Sequence, residues 1–197
     1  PIEMPRDFKP FGIGNHITYA QLGFLMKRGV DPAWAKSEGW GVRDDGRLII
    51  PIREGGEFKC WVARSIDGRD PKELSSPNRS HFLYGYDQVK DRQVEGVMPI
   101  LLVEGIFDQI HMNSLGENCL ALMGSYISDV QVGKLMALKA PKVDIMMDGD
   151  AAGRAAAQKI YSRLSRRMNP FFIVKINLPD GMDPDQLDAA ALRKVLS

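Results

Sequence analysis

Four short apolar runs in the C-terminal half, separated by longer stretches of helical pattern, restrict the fold more than any other feature of this chain. The runs are PILLV (99–103), NCLALM (118–123), KVDIMM (142–147) and FFIVKINL (171–178). Strand and helix alternating with short links is the pattern of a parallel α/β sheet. The helical stretches carry their own punctuation. GIFDQIHMNSLG (105–116) ends on Gly116, a C-cap residue, and SDVQVGKLMALKA opens with Ser128 and Asp129 as N-cap candidates. A third helix is predicted from about Ala151 to Met168, Ala-rich where it meets the sheet and Arg-rich toward its end, as the helix dipole favours. Asn169-Pro170 stops it.

The first 95 residues read differently. Two short helices are predicted at 19–29 and 31–39, followed by a β-hairpin in RLIIPIREGGEFKCWVARSI (47–66), where Gly55-Gly56 supplies positive φ at the turn. Residues 67–87, DGRDPKELSSPNRSHFLYGYD, have loop composition. The expected organisation is therefore a small α+β subdomain over residues 1–95 and a parallel α/β domain over 96–197. With 197 residues, 44% of them hydrophobic, the chain can bury a real core.

Partners are constrained only weakly by composition. A net charge of +1 argues neither for nor against nucleic acid. Cys60 and Cys119 stand far apart, with no CxxC or Cys/His cluster to hold zinc, so a reducing cytoplasm is the simpler reading. No run approaches the roughly 18 apolar residues of a membrane span, and the N-terminus has no secretory pattern. Beginning at Pro1 without an initiator Met, the chain reads as a processed product or an excised piece.

In a parallel α/β sheet the chemistry collects at the carboxyl ends of the strands. Glu104 immediately follows PILLV, Asp148 follows KVDIMM with Asp150 two residues on, and Asp183 and Asp185 follow the last strand in LPDGMDPDQL (178–187). All five are expected on one edge, and Asp108, one helical turn after Glu104, can join them. Carboxylates gathered this way repel unless a cation sits between them, and Mg²⁺ or Mn²⁺ is the usual solution because both take oxygen ligands. A favourable helix dipole explains Asp108 and Asp150 without any metal. It does not explain why acids end three separate strands.

The stretches VEGIFD, MDGDAAGR and LPDGMDPDQL together resemble the TOPRIM domain, the metal-binding fold shared by topoisomerases, DnaG-type bacterial primases and several nucleases. The family pattern is a Glu after one strand and Asp-x-Asp after another, matched by Glu104, Asp148 and Asp150. DGDAAGR followed by LPDGMDPDQL looks more specifically like the primases. The N-terminal half is similar to the subdomain that precedes TOPRIM in the primase catalytic core, so the resemblance covers residues 20 to 190. Within it Arg64 matches a family arginine facing the catalytic edge, and Lys72 matches a loop lysine, with Asn78 and Arg79 on the same loop. Glu73 and Ser75 depart from the aromatic and Asn usual there.

What the resemblance implies is an α/β fold, a TOPRIM Rossmann-like parallel sheet flanked by helices and preceded by a small α+β subdomain. The implied activity is synthesis of short RNA primers on single-stranded DNA from ribonucleoside triphosphates, using two divalent ions, Mg²⁺ or Mn²⁺. Glu104, Asp148 and Asp150 are the implied catalytic and metal residues, Asp108, Asp183 and Asp185 further metal residues, and Arg64, Lys72, Asn78 and Arg79 nucleotide or template contacts. Family members carry a zinc-binding module before this core and a helicase or helicase-binding part after it. Phage and mobile-element primases share loops of this kind. Two alternatives stay open: a metal-dependent TOPRIM nuclease, and a non-catalytic TOPRIM module that only binds nucleic acid or protein. A topoisomerase fits less well, because it needs a tyrosine nucleophile on a further domain. For the remaining basic residues Arg53, Lys59 and Arg69, solvated surface and a phosphate contact stay equally open; His16, His81 and His111 read as structural or surface, and Trp34, Trp40 and Trp61 as core, with a base stack as the alternative for one exposed near the basic loop.

Overall fold

A two-residue turn with positive φ at both positions matches the right-handed twist of the strands it joins. Gly55 (φ 64°) and Gly56 (φ 74°) make such a turn. It closes β3 (Leu48–Glu54) onto β4 (Glu57–Arg64), with Glu54 opposite Glu57. Around this hairpin β1 (Lys9–Pro10), β2 (Gly41–Val42) and β5 (Glu73–Ser75) complete an antiparallel sheet in the order β1-β2-β3-β4-β5. The computed structural model describes residues 2–12, 14–93, 97–169 and 172–196. These divide into two units, Pro1–Arg79 and Ser80–Ser197.

In the first unit, α1 (Tyr19–Lys27) begins with a capping box in which Thr18 and Gln21 satisfy each other's backbone N–H groups. It stops earlier than the sequence suggests because Gly29 turns left-handed (φ 67°). Asp31 caps α2 (Pro32–Ser37), whose first position is the proline that helix starts favour. Leu25, Val30, Ala35, Trp40, Ile49, Ile50 and Cys60 are buried. Trp34 meets Trp40 edge-on, ring centres 5.8 Å apart. Strand β5 lies inside the segment read as loop. Its pairing comes from β4, through Val62↔Ser75, Ala63↔Leu74 and Arg64↔Glu73, rather than from any β propensity of its own three residues.

The second unit carries the predicted parallel sheet. Its strands are β6 (Ile100–Val103), β7 (Cys119–Ala121), β8 (Val143–Met146) and β9 (Ile173–Ile176), in the order β7-β6-β8-β9 with every pair parallel. Alternate residues face opposite sides. Ile100, Leu102, Leu120, Val143, Ile145 and Ile173 pack on one side with α5 (Asp129–Ala137) and α6 (Ala151–Leu164). Leu101, Val103, Cys119, Ala121, Met146 and Ile176 pack on the other with α4 (Ile106–Ser114) and α7 (Ala189–Leu196). Both cysteines are free and buried, and burial pushes the Cys119 thiol well above its usual range. The α3 helix (Tyr86–Arg92) also belongs here, since Leu83 and Val89 sit in this core. The domain division expected between 95 and 96 falls outside the described residues, as do Pro170 and Phe171.

Strand order fixes where a site can form. From β6 the chain passes through α4 to β7 on one side, whereas β8 passes through α6 to β9 on the other. The opposed crossovers leave a crevice between the carboxyl ends of β6 and β8. Among the described residues no helix is long and apolar enough to cross a membrane.

Candidate metal-binding site

Glu104 leaves β6 directly and is half-buried; its backbone carbonyl accepts a hydrogen bond from the Met123 N–H at 2.9 Å, which ties the end of β6 to the loop after β7. One turn into α4, the buried Asp108 accepts the Gly105 N–H at 3.0 Å. Asp148 is half-buried just beyond β8. Asp150 is exposed and caps α6, accepting the Gly153 N–H at 2.6 Å. Asp183 caps a single 3₁₀ turn, Pro184–Gln186, that contains Asp185 and is closed where the Gln186 side chain accepts the Asp183 N–H at 2.9 Å.

Four of these acids, Asp108, Asp148, Asp183 and Asp185, share one environment. Burial, then the carboxylates of Asp148, Asp185 and Asp183, push Asp108 up to about 7, against the opposing Gly105 hydrogen bond. Groups from α4, from the end of β8 and from the 183–185 turn therefore form one negative field at the switch point of the sheet. Within it the described residues close no ready-made cage of three or more His, Cys, Asp or Glu side chains around a single ion position. An all-carboxylate donor set suits a hard divalent cation rather than zinc. Mg²⁺ usually keeps several waters and takes substrate phosphates as further ligands, so an open arrangement is compatible with it.

The glycines of MDGDAAGR explain why the backbone can pass here. A Cβ on Gly153 would lie 2.1 Å from the Asp148 carbonyl oxygen, and one on Gly149 would lie 2.2 Å from the Pro179 carbonyl oxygen. Gly149 thereby lets the 179–182 loop close onto the end of β8, with its N–H donating to Met182 O and its own carbonyl accepting from the Gly181 N–H, both at 2.8 Å. Arg154 adds bonds to Gly149 O at 3.3 Å and to the Asp180 carboxylate at 2.7 Å, joining the two acidic motifs. On α4 the His111 imidazole lies 2.6 Å from Leu187 O. Because the clashing atoms are backbone, Gly153→Ala is expected to cost about 3 kcal/mol, read as a lower denaturation midpoint. An unchanged midpoint would show that the α6 start can shift freely.

The basic residues lie in the first unit. Arg64 is mostly buried and its guanidinium lies 3.7 Å from the Glu73 carboxylate, its cross-strand neighbour. Lys72 is exposed, and its carbonyl accepts the Ser65 N–H at 3.0 Å. Asn78 is left-handed (φ 64°), a conformation Asn tolerates, and Arg79 is half-buried. Sequence reasoning missed Arg47, which is buried and donates to Pro71 O at 2.6 Å, anchoring the loop that carries Lys72. Arg69 is exposed, in keeping with a surface residue, and there it donates to Asp45 O at 2.7 Å while its hydrogen bonds pull the Asp67 carboxyl down to about 2.

Comparison with known proteins sets the class first. Residues 101–188 match the Toprim-like family (Toprim_2), so the second unit is a Toprim-like domain. The chain is 30% identical over 180 residues to a DNA primase of Staphylococcus aureus strain MSSA476, an alignment covering 83% of this chain and 29% of that protein. A DNA primase domain from Pseudomonas aeruginosa is 28% identical, with a TM-score of 0.68 over 91% of this chain and 59% of that one. The DnaG primase catalytic domain bound to single-stranded DNA has the same fold, with a TM-score of 0.75 at 21% identity over 93% of this chain and 73% of that one. The chain thus carries a Toprim-like domain and is similar to DNA primases over 83% of its length, while spanning about 29% of the length of the curated primases it matches.

Proposed function

We propose that this chain is the catalytic core of a DNA primase, joining ribonucleotides into short RNA primers on single-stranded DNA. The observation that carries the reading is the shared negative field of Asp108, Asp148, Asp183 and Asp185 at the sheet's switch point, in a chain related to primases. Glu104, Asp148 and Asp150 would hold two divalent ions, Mg²⁺ or Mn²⁺, with Asp108, Asp183 and Asp185 completing the field. Such ions, when bound, neutralise charge at the reacting phosphate and lower the pKa of the attacking 3′-hydroxyl. Glu104 is alternatively placed as a general base for that hydroxyl. Arg154 holds the two acidic loops in register, and Gly149 lets them approach.

Arg64, Lys72, Asn78 and Arg79 are assigned to nucleotide or template. Contacts of this kind carry affinity and little sequence information. Arg64 must exchange its Glu73 partner for a phosphate, so Glu73 tunes it. For Arg64→Ala and Lys72→Ala we expect weaker template or nucleotide binding without a change in sequence preference. A lost template contact should make the slope of log affinity against log salt shallower by about 0.7, whereas a lost nucleotide contact should raise the apparent KM for nucleotide. Unchanged affinity, KM and slope in both variants would return these residues to plain surface.

Start-site selection, on this reading, belongs to a zinc-binding module and a helicase partner outside the chain. The deciding experiment incubates the chain with single-stranded DNA, labelled ribonucleotides and Mg²⁺ or Mn²⁺. Short RNA is the expected product. Cleavage of the DNA without synthesis would favour the metal-dependent nuclease instead.

A further inference from the structure

On the second unit, away from the acids, the loop after β7 and the later turns of α6 enclose an open cleft of about 320 Å³. That is near the lower end of the roughly 300–1,000 Å³ of small-molecule sites, enough for one nucleotide unit. Its lining includes Tyr126, Lys159, Ser162, Arg163 and Arg166 and no acidic residue. Spacings of three and four residues put Lys159, Ser162 and Arg163 on one stripe of α6, and Arg166 continues it in the turn that follows. This stripe is separate from the buried one made by Ala156, Ala157, Ile160 and Leu164.

Two features distinguish the cleft from ordinary solvated surface. Tyr126 is 52% exposed yet held in place, because the Arg163 guanidinium sits 4.9 Å from its ring centre and is itself paired to Asp129 at 2.9 Å. An aromatic ring so fixed loses little freedom when something stacks on it. Lys159 and Arg166, one turn to either side of Arg163, make no ion pair among the described residues. With Arg163 offset by Asp129, Lys159 and Arg166 carry the positive charge of the stripe, and an anion lying between them is attracted by both.

We propose that this cleft binds single-stranded nucleic acid, one base against Tyr126 and the adjoining phosphates on Lys159 and Arg166. The pairing of an aromatic platform with backbone-tracking cations is how sequence-tolerant single-strand sites are built. Lys159 lies nine residues after Asp150 on the same helix, about 14 Å along its axis. The cleft is therefore a second contact, separate from the acidic edge, for template or product strand. The proposal rests on the reading of the chain as a nucleic-acid enzyme.

The test measures anisotropy of a fluorescein-labelled oligo(dT) of about 12 nucleotides, within the span of single-strand sites, with EDTA present so that the acidic edge holds no metal. Tyr126→Ala should weaken binding roughly tenfold, the scale of one lost base stack, with an unchanged salt slope. Tyr126→Phe should bind as wild type, because it keeps the ring. Lys159→Ala combined with Arg166→Ala should weaken binding and make the salt slope shallower by about 1.4. Denaturation midpoints equal to wild type exclude misfolding as the cause. If the folded variants keep wild-type affinity and slope, the cleft is not a nucleic-acid contact, while the primase reading stands on its synthesis assay. If an oligo-glutamate peptide displaces nothing from the wild type but binds the cleft residues itself, an acidic protein segment is the occupant and the proposal fails. Wild-type protein that binds no oligonucleotide in EDTA would overturn the cleft proposal, and the primase reading is decided separately by its synthesis assay.

Discussion

Asp148→Asn is expected to abolish primer synthesis, by roughly a thousandfold or more, while leaving the fold and single-strand binding intact. The substitution keeps the volume and removes one negative charge just beyond β8, from the carboxylate that the proposed mechanism assigns to a divalent ion. Losing about 4 kcal/mol of charge stabilisation at the reacting phosphate accounts for a factor of that size. Stability should move the other way. Asp148 is the first carboxylate among those that raise Asp108, so neutralising it relieves repulsion in the protein without metal. The denaturation midpoint in EDTA should hold or rise slightly. A collapsed midpoint would show that the acids are structural, and retained synthesis would show that Asp148 is no ligand.

The sheet was legible because each strand announces itself locally. Four apolar runs with short helical links leave few topologies, and those at 99–103 and 142–147 correspond to β6 and β8. Glu104, Asp148 and Asp150 were legible as strand-end residues because each follows β6 or β8 within four residues, whereas Asp183 and Asp185 come seven and nine residues after β9. The rest depends on partners distant in sequence. Strand β5 exists because β4 pairs with it, and the three residues Glu73, Leu74 and Ser75 carry no strand signal alone. Arg47 reaches Pro71 across 24 positions, and Arg154 reaches Asp180 across 26. No local pattern marks either arginine as an anchor. Likewise MDGDAAGR reveals that Gly149 and Gly153 are there, but only the folded chain shows the carbonyls that forbid a Cβ. The Arg64–Glu73 pair is a similar case: the sequence shows Glu73 as a departure from the family pattern, and the β4–β5 register turns that departure into a partner for the arginine.

Asp108→Asn is expected to make the metal-free protein more stable above neutral pH and to remove a pH dependence that wild type shows. Burial and the neighbouring carboxylates raise Asp108 from 3.8 to about 7. Between those values the folded chain keeps a proton that the unfolded chain has lost, so unfolding releases it and stability falls as pH rises. The destabilisation is absent below about pH 4 and complete above about pH 7. Its size has an upper limit of about 4 kcal/mol, the free-energy equivalent of the full shift. Asparagine stays neutral throughout and keeps an oxygen to accept the Gly105 N–H that Asp108 now accepts. Denaturation midpoints in EDTA should therefore drop for wild type between pH 5 and pH 8 and stay level for the variant. Adding Mg²⁺ at pH 8 should raise the wild-type midpoint, because a cation at the acidic edge offsets the repulsion, and should raise the variant's less. Parallel midpoints for the two proteins across that range would mean that Asp108 is solvated and already ionised, and that the carboxylates at this edge do not share a field.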